Sequence, residues 1–174
     1  MRQLQLRVLM TTLALMALLG APALSLAQTT HSAELDAVNE VLTCFSSGQG
    51  TFTATIDQGN TTIAYELSYE NLAGTVTQAH IHFGKPFEQG GIVAFLCSNV
   101  ANPPANTPPC PVPSGTVTGT LNASSVVNTA SAQGINAGDF DKLLVAIRFE
   151  PGFTYANIHS TVCPGGEIRG QIQP

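Results

Sequence analysis

Short runs that alternate apolar and polar residues, punctuated by Gly, Asn and Pro, constrain this chain more than any other feature. Thr51-Phe52-Thr53-Ala54-Thr55-Ile56 and Ile63-Ala64-Tyr65-Glu66-Leu67-Ser68-Tyr69 both have period two, the repeat that sends successive side chains to opposite faces of a strand. Asp57-Gln58-Gly59-Asn60 between them has the residues of a hairpin loop. Asn71-Leu72-Ala73-Gly74 turns the chain into a further strand from Thr75 to Phe83, and Gly90-Gly91 opens the apolar run Ile92-Val93-Ala94-Phe95-Leu96. Gly115 to Leu121, Tyr155 to His159 and Glu167 to Ile172 read as strands as well. One helix interrupts them: Gly138 or Asp139 caps its start, Phe140, Leu143, Leu144 and Ile147 share a face, and Pro151-Gly152 ends it. A helical turn capped by Asn122 is expected over Ala123 to Val127. About seven to eight short strands with one or two short helices predict an all-β fold, an antiparallel Greek-key sandwich or barrel.

The beginning of the chain reads as a secretory signal peptide over residues 1–27. Arg2 and Arg7 precede an apolar core from Val8 to Leu19, and Ser25-Leu26-Ala27 is a small-x-small cleavage site. A membrane anchor needs roughly 20 apolar residues, and this run is shorter and broken by Gly20 and Pro22. The expected mature chain, residues 28–174, suits one domain with its own core. The reading places it outside the cytoplasm, secreted or periplasmic, without a membrane anchor. Once Arg2 and Arg7 are removed, four of the six basic residues face 11 acidic ones, and the formal charge moves from −5 to −7. No basic stripe remains to attract phosphates, so nucleic acid is excluded as a partner.

All four cysteines, Cys44, Cys97, Cys110 and Cys163, fall in the mature part. In an exported chain an even count reads as disulfides, and four cysteines allow three pairings. Cys97 and Cys110 flank a loop rich in Pro and Asn that cannot hold its own shape. Joining them would staple it, and Cys44 with Cys163 would then tie the start of the domain to its end. The spacings match no zinc pattern.

Chemistry centres on Gln78-Ala79-His80-Ile81-His82-Phe83-Gly84. On a strand, His80 and His82 share a face, and His159, in Asn157-Ile158-His159-Ser160, lies on a late strand that could join them. Two readings stand side by side. Three imidazoles can hold one copper or zinc ion, or they can serve as hydrogen-bonding groups that fix turns. A dinuclear copper–zinc centre of dismutase type needs more histidines than His31, His80, His82 and His159 supply. Asn157 shares the face of His159 and could position its ring. Glu167 and Arg169 also share a face and could pair with each other or with neighbours across the sheet. Ser160 points away from His159, so the two cannot act as nucleophile and base, and no Gly-x-Ser-x-Gly occurs.

These segments resemble the CHRD domain, found in chordin and in many exported bacterial proteins. The resemblance rests on Ala79-His80-Ile81-His82-Phe83-Gly84, Gly90-Gly91-Ile92-Val93, Gly115-Thr116-Val117-Thr118-Gly119-Thr120-Leu121, Ala156-Asn157-Ile158-His159-Ser160 and Pro164-Gly165-Gly166-Glu167-Ile168-Arg169-Gly170-Gln171-Ile172. Two departures accompany it: Glu40-Val41 is followed by Leu42-Thr43-Cys44 rather than Pro-Pro, and Cys163 precedes Pro-Gly-Gly where the family carries an aromatic or aliphatic residue. Cysteines at both departures fit partners in one bridge. The resemblance implies an extracytoplasmic binding or matrix module without catalysis, with an unknown protein or matrix ligand. The competing expectation is a mononuclear copper or zinc protein built on His80, His82 and His159.

Overall fold

A computed structural model describes residues 28–150 and 152–174; the expected signal peptide, residues 1–27, lies outside the described residues. The strands are β1 Thr29–Asp36, β2 Gln49–Ile56, β3 Ile63–Glu70, β4 Val76–Phe83, β5 Gly91–Ser98, β6 Gly115–Leu121, β7 Thr154–Ser160 and β8 Ile168–Gln171. They form one sheet in the order β5-β4-β7-β8-β1-β2-β3-β6, and every pairing is antiparallel. The two ends of that order, β5 and β6, lie against each other, so the sheet curls into a near-barrel. Tyr65 on β3 fastens the seam: it stands over Gly119 of β6, and its hydroxyl donates to the Leu96 carbonyl of β5 at 2.6 Å.

Alternation sets which face is core. Phe52, Ala54 and Ile56 of β2 and Ile63, Tyr65, Leu67 and Tyr69 of β3 are buried, while the residues between them face outward. The single α-helix among the described residues, α1 (Phe140–Phe149), adds Leu143 and Ile147, both fully buried, to the same core. Asp139 occupies its N-cap, but the carboxylate accepts from the Asn136 amide and from Lys142 instead of the helix amides. The turn expected after Asn122 is a short 3-10 helix, Ala123–Ser125, closed by a reciprocal Asn122–Ser125 cap.

Seven of the strands are those the alternation predicts; the sheet contains an eighth. β1 fills the place between β8 and β2, with His31, Ala33 and Leu35 as its inward residues. A weakly apolar inward set such as this gives little signal in the sequence. The disulfides join Cys97 to Cys110 and Cys44 to Cys163, which fits an oxidising compartment. No helix among the described residues is long and apolar enough to cross a membrane.

Candidate metal centre

β4, β7 and β8 are neighbours and carry two sets of buried residues. Ala79, Ile81, Ala156, Ile158 and Ile168 face the barrel core. The alternate positions face outward, and the register aligns His80 with Asn157, His82 with Tyr155, and Asn157 with Arg169. Outward-facing residues of a small sheet ordinarily meet solvent, yet His80 and Glu167 are 0 % exposed, Arg169 1 %, Asn157 2 % and His82 7 %. A roof accounts for this burial.

Two segments make the roof. In the first, residues 37–48, the Asn39 amide donates to the Arg169 carbonyl, Glu40 accepts from Asn157, and Ser46 donates to Glu167 at 2.6 Å. Cys44 fastens this segment to Cys163. The second is the loop between β4 and β5, held from below by Arg169, whose guanidinium donates to the carbonyls of Lys85 and Glu88, both at 2.8 Å. Arg169 also donates to Gln171, and its Cζ lies 3.4 Å from the centre of the Tyr155 ring. Tyr155 in turn stacks on His82, with ring centres 4.7 Å apart and planes 4° from parallel. Because β7 lies between β4 and β8, the phenol is sandwiched between imidazole and guanidinium.

Of the two pairings open to Glu167 and Arg169, the structure shows other neighbours rather than each other. Glu167 accepts from the Ser46 hydroxyl and the Ala73 amide, whereas Arg169 is met by carbonyl oxygens and a ring face. Sharing a face is necessary for contact but does not decide it; each side chain takes the polar groups that the roof or an adjoining loop places against it, which would otherwise be buried unpaired. Asn157 likewise does not position His159: its amide nitrogen donates to Glu40. Ser160 is buried and accepts from the Cys163 amide, closing a turn.

The three histidines come together. Ring centres are 5.0 Å apart for His80 and His159, 5.4 Å for His80 and His82, and 6.1 Å for His82 and His159. One nitrogen from each ring lies within 4.8 Å of the other two. His82 Nδ1 donates to the Gly90 carbonyl and His159 Nδ1 to the Pro164 carbonyl, each at 2.9 Å. Because a carbonyl only accepts, both protons sit on Nδ1 and both Nε2 atoms carry lone pairs. Those Nε2 atoms are buried without partners, as are both nitrogens of His80. Phe95 closes the far side of His80, edge-on at 4.4 Å.

This environment keeps the rings neutral. Burial is the largest influence on each. It drives His80 down to about 2, with the neighbouring His159 and His82 adding to the effect. It takes His82 down to about 4 against the opposing pull of the Gly90 carbonyl. His159 is also lowered, with the Pro164 carbonyl opposing. Neutral imidazoles that bring one nitrogen each within 4.8 Å of the others, two of them oriented through Nδ1, are a donor set that copper or zinc could take. Burial pushes the Glu40 carboxyl the other way, up to about 7, although the Arg169 charge and the Asn157 amide oppose the rise.

Sequence reasoning did not single out Glu40 or Tyr155 for this layer. Tyr155 was within reach of the period-two argument, two residues before Asn157 on the same strand. Glu40 lies in an irregular segment with no periodicity to extrapolate.

No curated protein and no solved structure matches the chain. The family model for the CHRD domain matches residues 31–172, a span that takes in every strand but the first two residues of β1, both roof segments and all three histidines. The chain belongs to the CHRD domain family.

Proposed function

We propose that this chain is an extracytoplasmic module that holds one transition-metal ion, copper or zinc, on His80, His82 and His159. Membership in the CHRD family supports an extracellular, module-like role. The metal reading rests on one observation: the buried cluster of imidazole nitrogens with no hydrogen-bond partner, at His80, His82 and His159. An unpaired buried polar atom costs about 1–3 kcal/mol, and this cluster holds several, with one nitrogen of each ring within 4.8 Å of the other two. A bound ion satisfies one nitrogen of each ring at once. A purely structural set of histidines would place those nitrogens against donors, as His82 and His159 place their Nδ1 protons against acceptors.

In this reading the chain is exported by residues 1–27, matures at Gln28, and presents one folded body to an unidentified protein or matrix ligand. Arg169 and Tyr155 hold the loop and the ring around the ion; they do not contact it. The test is metal analysis of mature protein exposed to micromolar copper or zinc and then dialysed. One equivalent retained by the wild type and lost in His82→Ala supports the centre. Absence of retained metal in the wild type removes it and leaves the ligand-binding module alone.

A further inference from the structure

Two of the three histidines have a visible orienting partner, and His80 does not. His82 and His159 each give an Nδ1 proton to a carbonyl, but a neutral His80 must also carry one N–H, and neither of its nitrogens has a partner. Directly opposite His80 across the β4–β7 ladder stands Asn157, so their Cβ atoms are about 4.5–5.5 Å apart. Asn157 is 2 % exposed, and its Oδ1 is another buried atom without a partner. A donor with no acceptor therefore faces an acceptor with no donor on the same side of two paired strands.

The orientation of the Asn157 amide follows from chemistry. Asn157 Nδ2 donates to Glu40 Oε1, so Oδ1 is turned to the other side. The backbone is shaped for this contact. Gly166, at φ +129°, has no side chain where a Cβ would stand 2.6 Å from both Glu40 oxygens and 2.7 Å from Asn157 Nδ2.

We infer that Glu40 and Asn157 form the third orienting arm of the centre: Glu40 fixes the Asn157 amide, and Asn157 Oδ1 accepts the ring N–H of His80. The other His80 nitrogen is then left with its lone pair toward His82 and His159. Asn157 and Glu40 are positioning residues; neither touches the ion. The arm takes the ion binding of the preceding section as given, but its geometry is testable in metal-free protein.

Nuclear magnetic resonance of ring nitrogens in chelator-treated mature protein reads the arm directly. The expected result is a slowly exchanging His80 N–H in the wild type, lost or strongly shifted in Asn157→Leu and in Glu40→Ala. Glu40→Gln keeps an oxygen acceptor for Asn157 and should restore the wild-type signal. Copper titration of the same proteins should show about 10–100-fold weaker binding for Asn157→Leu and Glu40→Ala at unchanged stoichiometry, and a return to within a few-fold for Glu40→Gln. If Asn157→Leu does not fold, the Glu40→Ala and Glu40→Gln pair decides. A His80 resonance indifferent to these substitutions overturns the arm, as does a Glu40→Gln that behaves like Glu40→Ala. A wild type that binds no metal but shows the Asn157-dependent resonance keeps the arm and rejects the metal reading.

Discussion

Replacing His80 by Leu should stabilise the metal-free protein increasingly as the solution is acidified. His80 is 0 % exposed; with one ring nitrogen given to Asn157, an apolar side chain of similar volume removes one unpaired nitrogen, worth about 1–3 kcal/mol, but leaves Asn157 Oδ1 unpaired at a similar cost, so near neutral pH the two proteins should differ little. The pH dependence is better defined. The folded-state value of His80 is lowered from 6.5 to about 2. Below the unfolded value the unfolded chain takes up a proton that the folded chain refuses, so stability falls as pH falls through that window. Between about pH 7.5 and about pH 5, one such histidine removes about 2 kcal/mol. Glu40, pushed up to about 7, titrates in the same interval with opposite sign: the folded chain takes up its proton first and gains stability as pH falls. Absolute stabilities therefore mix these two with His82 and His159, which are lowered as well, whereas the difference between wild type and His80→Leu largely cancels the groups the two proteins share. Urea unfolding of both proteins in chelator at the two pH values measures that difference. An advantage for Leu that stays constant between them would refute the account of a neutral, sealed imidazole. Stoichiometric copper should reverse the order, because only the wild type gains the binding energy.

Other consequences follow from the seam, the staple and the roof. Gly119→Ala would put a Cβ 2.4 Å from the Tyr65 hydroxyl and should cost about 2–4 kcal/mol in urea unfolding, from overpacking plus the lost bond to Leu96. Tyr65→Phe should cost only about 1 kcal/mol, and equal effects would show that the seam does not depend on this close approach. Removing both Cys97 and Cys110 by Ser opens a bridge of sequence separation 13 and should cost about 3 kcal/mol. A loss under about 1 kcal/mol would mean that the Asn99 bonds to Val76 and Cys110 already order the loop. Arg169→Lys keeps the charge but not the planar fork, so the Gly90 amide, which donates to Tyr155, should exchange with solvent markedly faster. Unchanged exchange would show that Arg169 does not hold the loop.

Much of the architecture was legible because period two is a geometric statement about strands. Ile63 to Tyr69 and Gly115 to Leu121 could be placed on the sheet with their inward residues named, and the two bridges were within reach because Cys97 and Cys110 bracket an unsupported loop. β1 escaped because histidine and alanine occupy two of its inward positions, leaving Leu35 as the one strong apolar signal. For the site, the same periodicity put His80, His82, Asn157 and His159 on shared faces. It could not say which partner each would find, since that depends on the β4–β7 register and on a roof 117 residues from Asn157 in sequence. Whether Glu167 and Arg169 would pair with each other or with neighbours stayed open in the sequence for this reason. Spacing gave the face, and the backbone groups above that face decided the bonds.

The Pro164-Gly165-Gly166-Glu167 segment shows why these residues belong together. Pro164 supplies the carbonyl that orients His159. Gly165 leaves room for Leu42, whose Cδ1 is 2.7 Å from where a Cβ would stand, and Gly166 leaves room for Glu40 against Asn157. Glu167 satisfies Ser46 and the Ala73 amide. Each residue joins the roof to the histidine strands, and none contributes to the apolar core on the other face of the sheet. Folding alone does not require that layer, since an apolar outer face under the same roof would avoid unpaired imidazole nitrogens and a buried guanidinium. In the proposed reading, this second, polar interior is kept beside a complete apolar one for the ion it would hold.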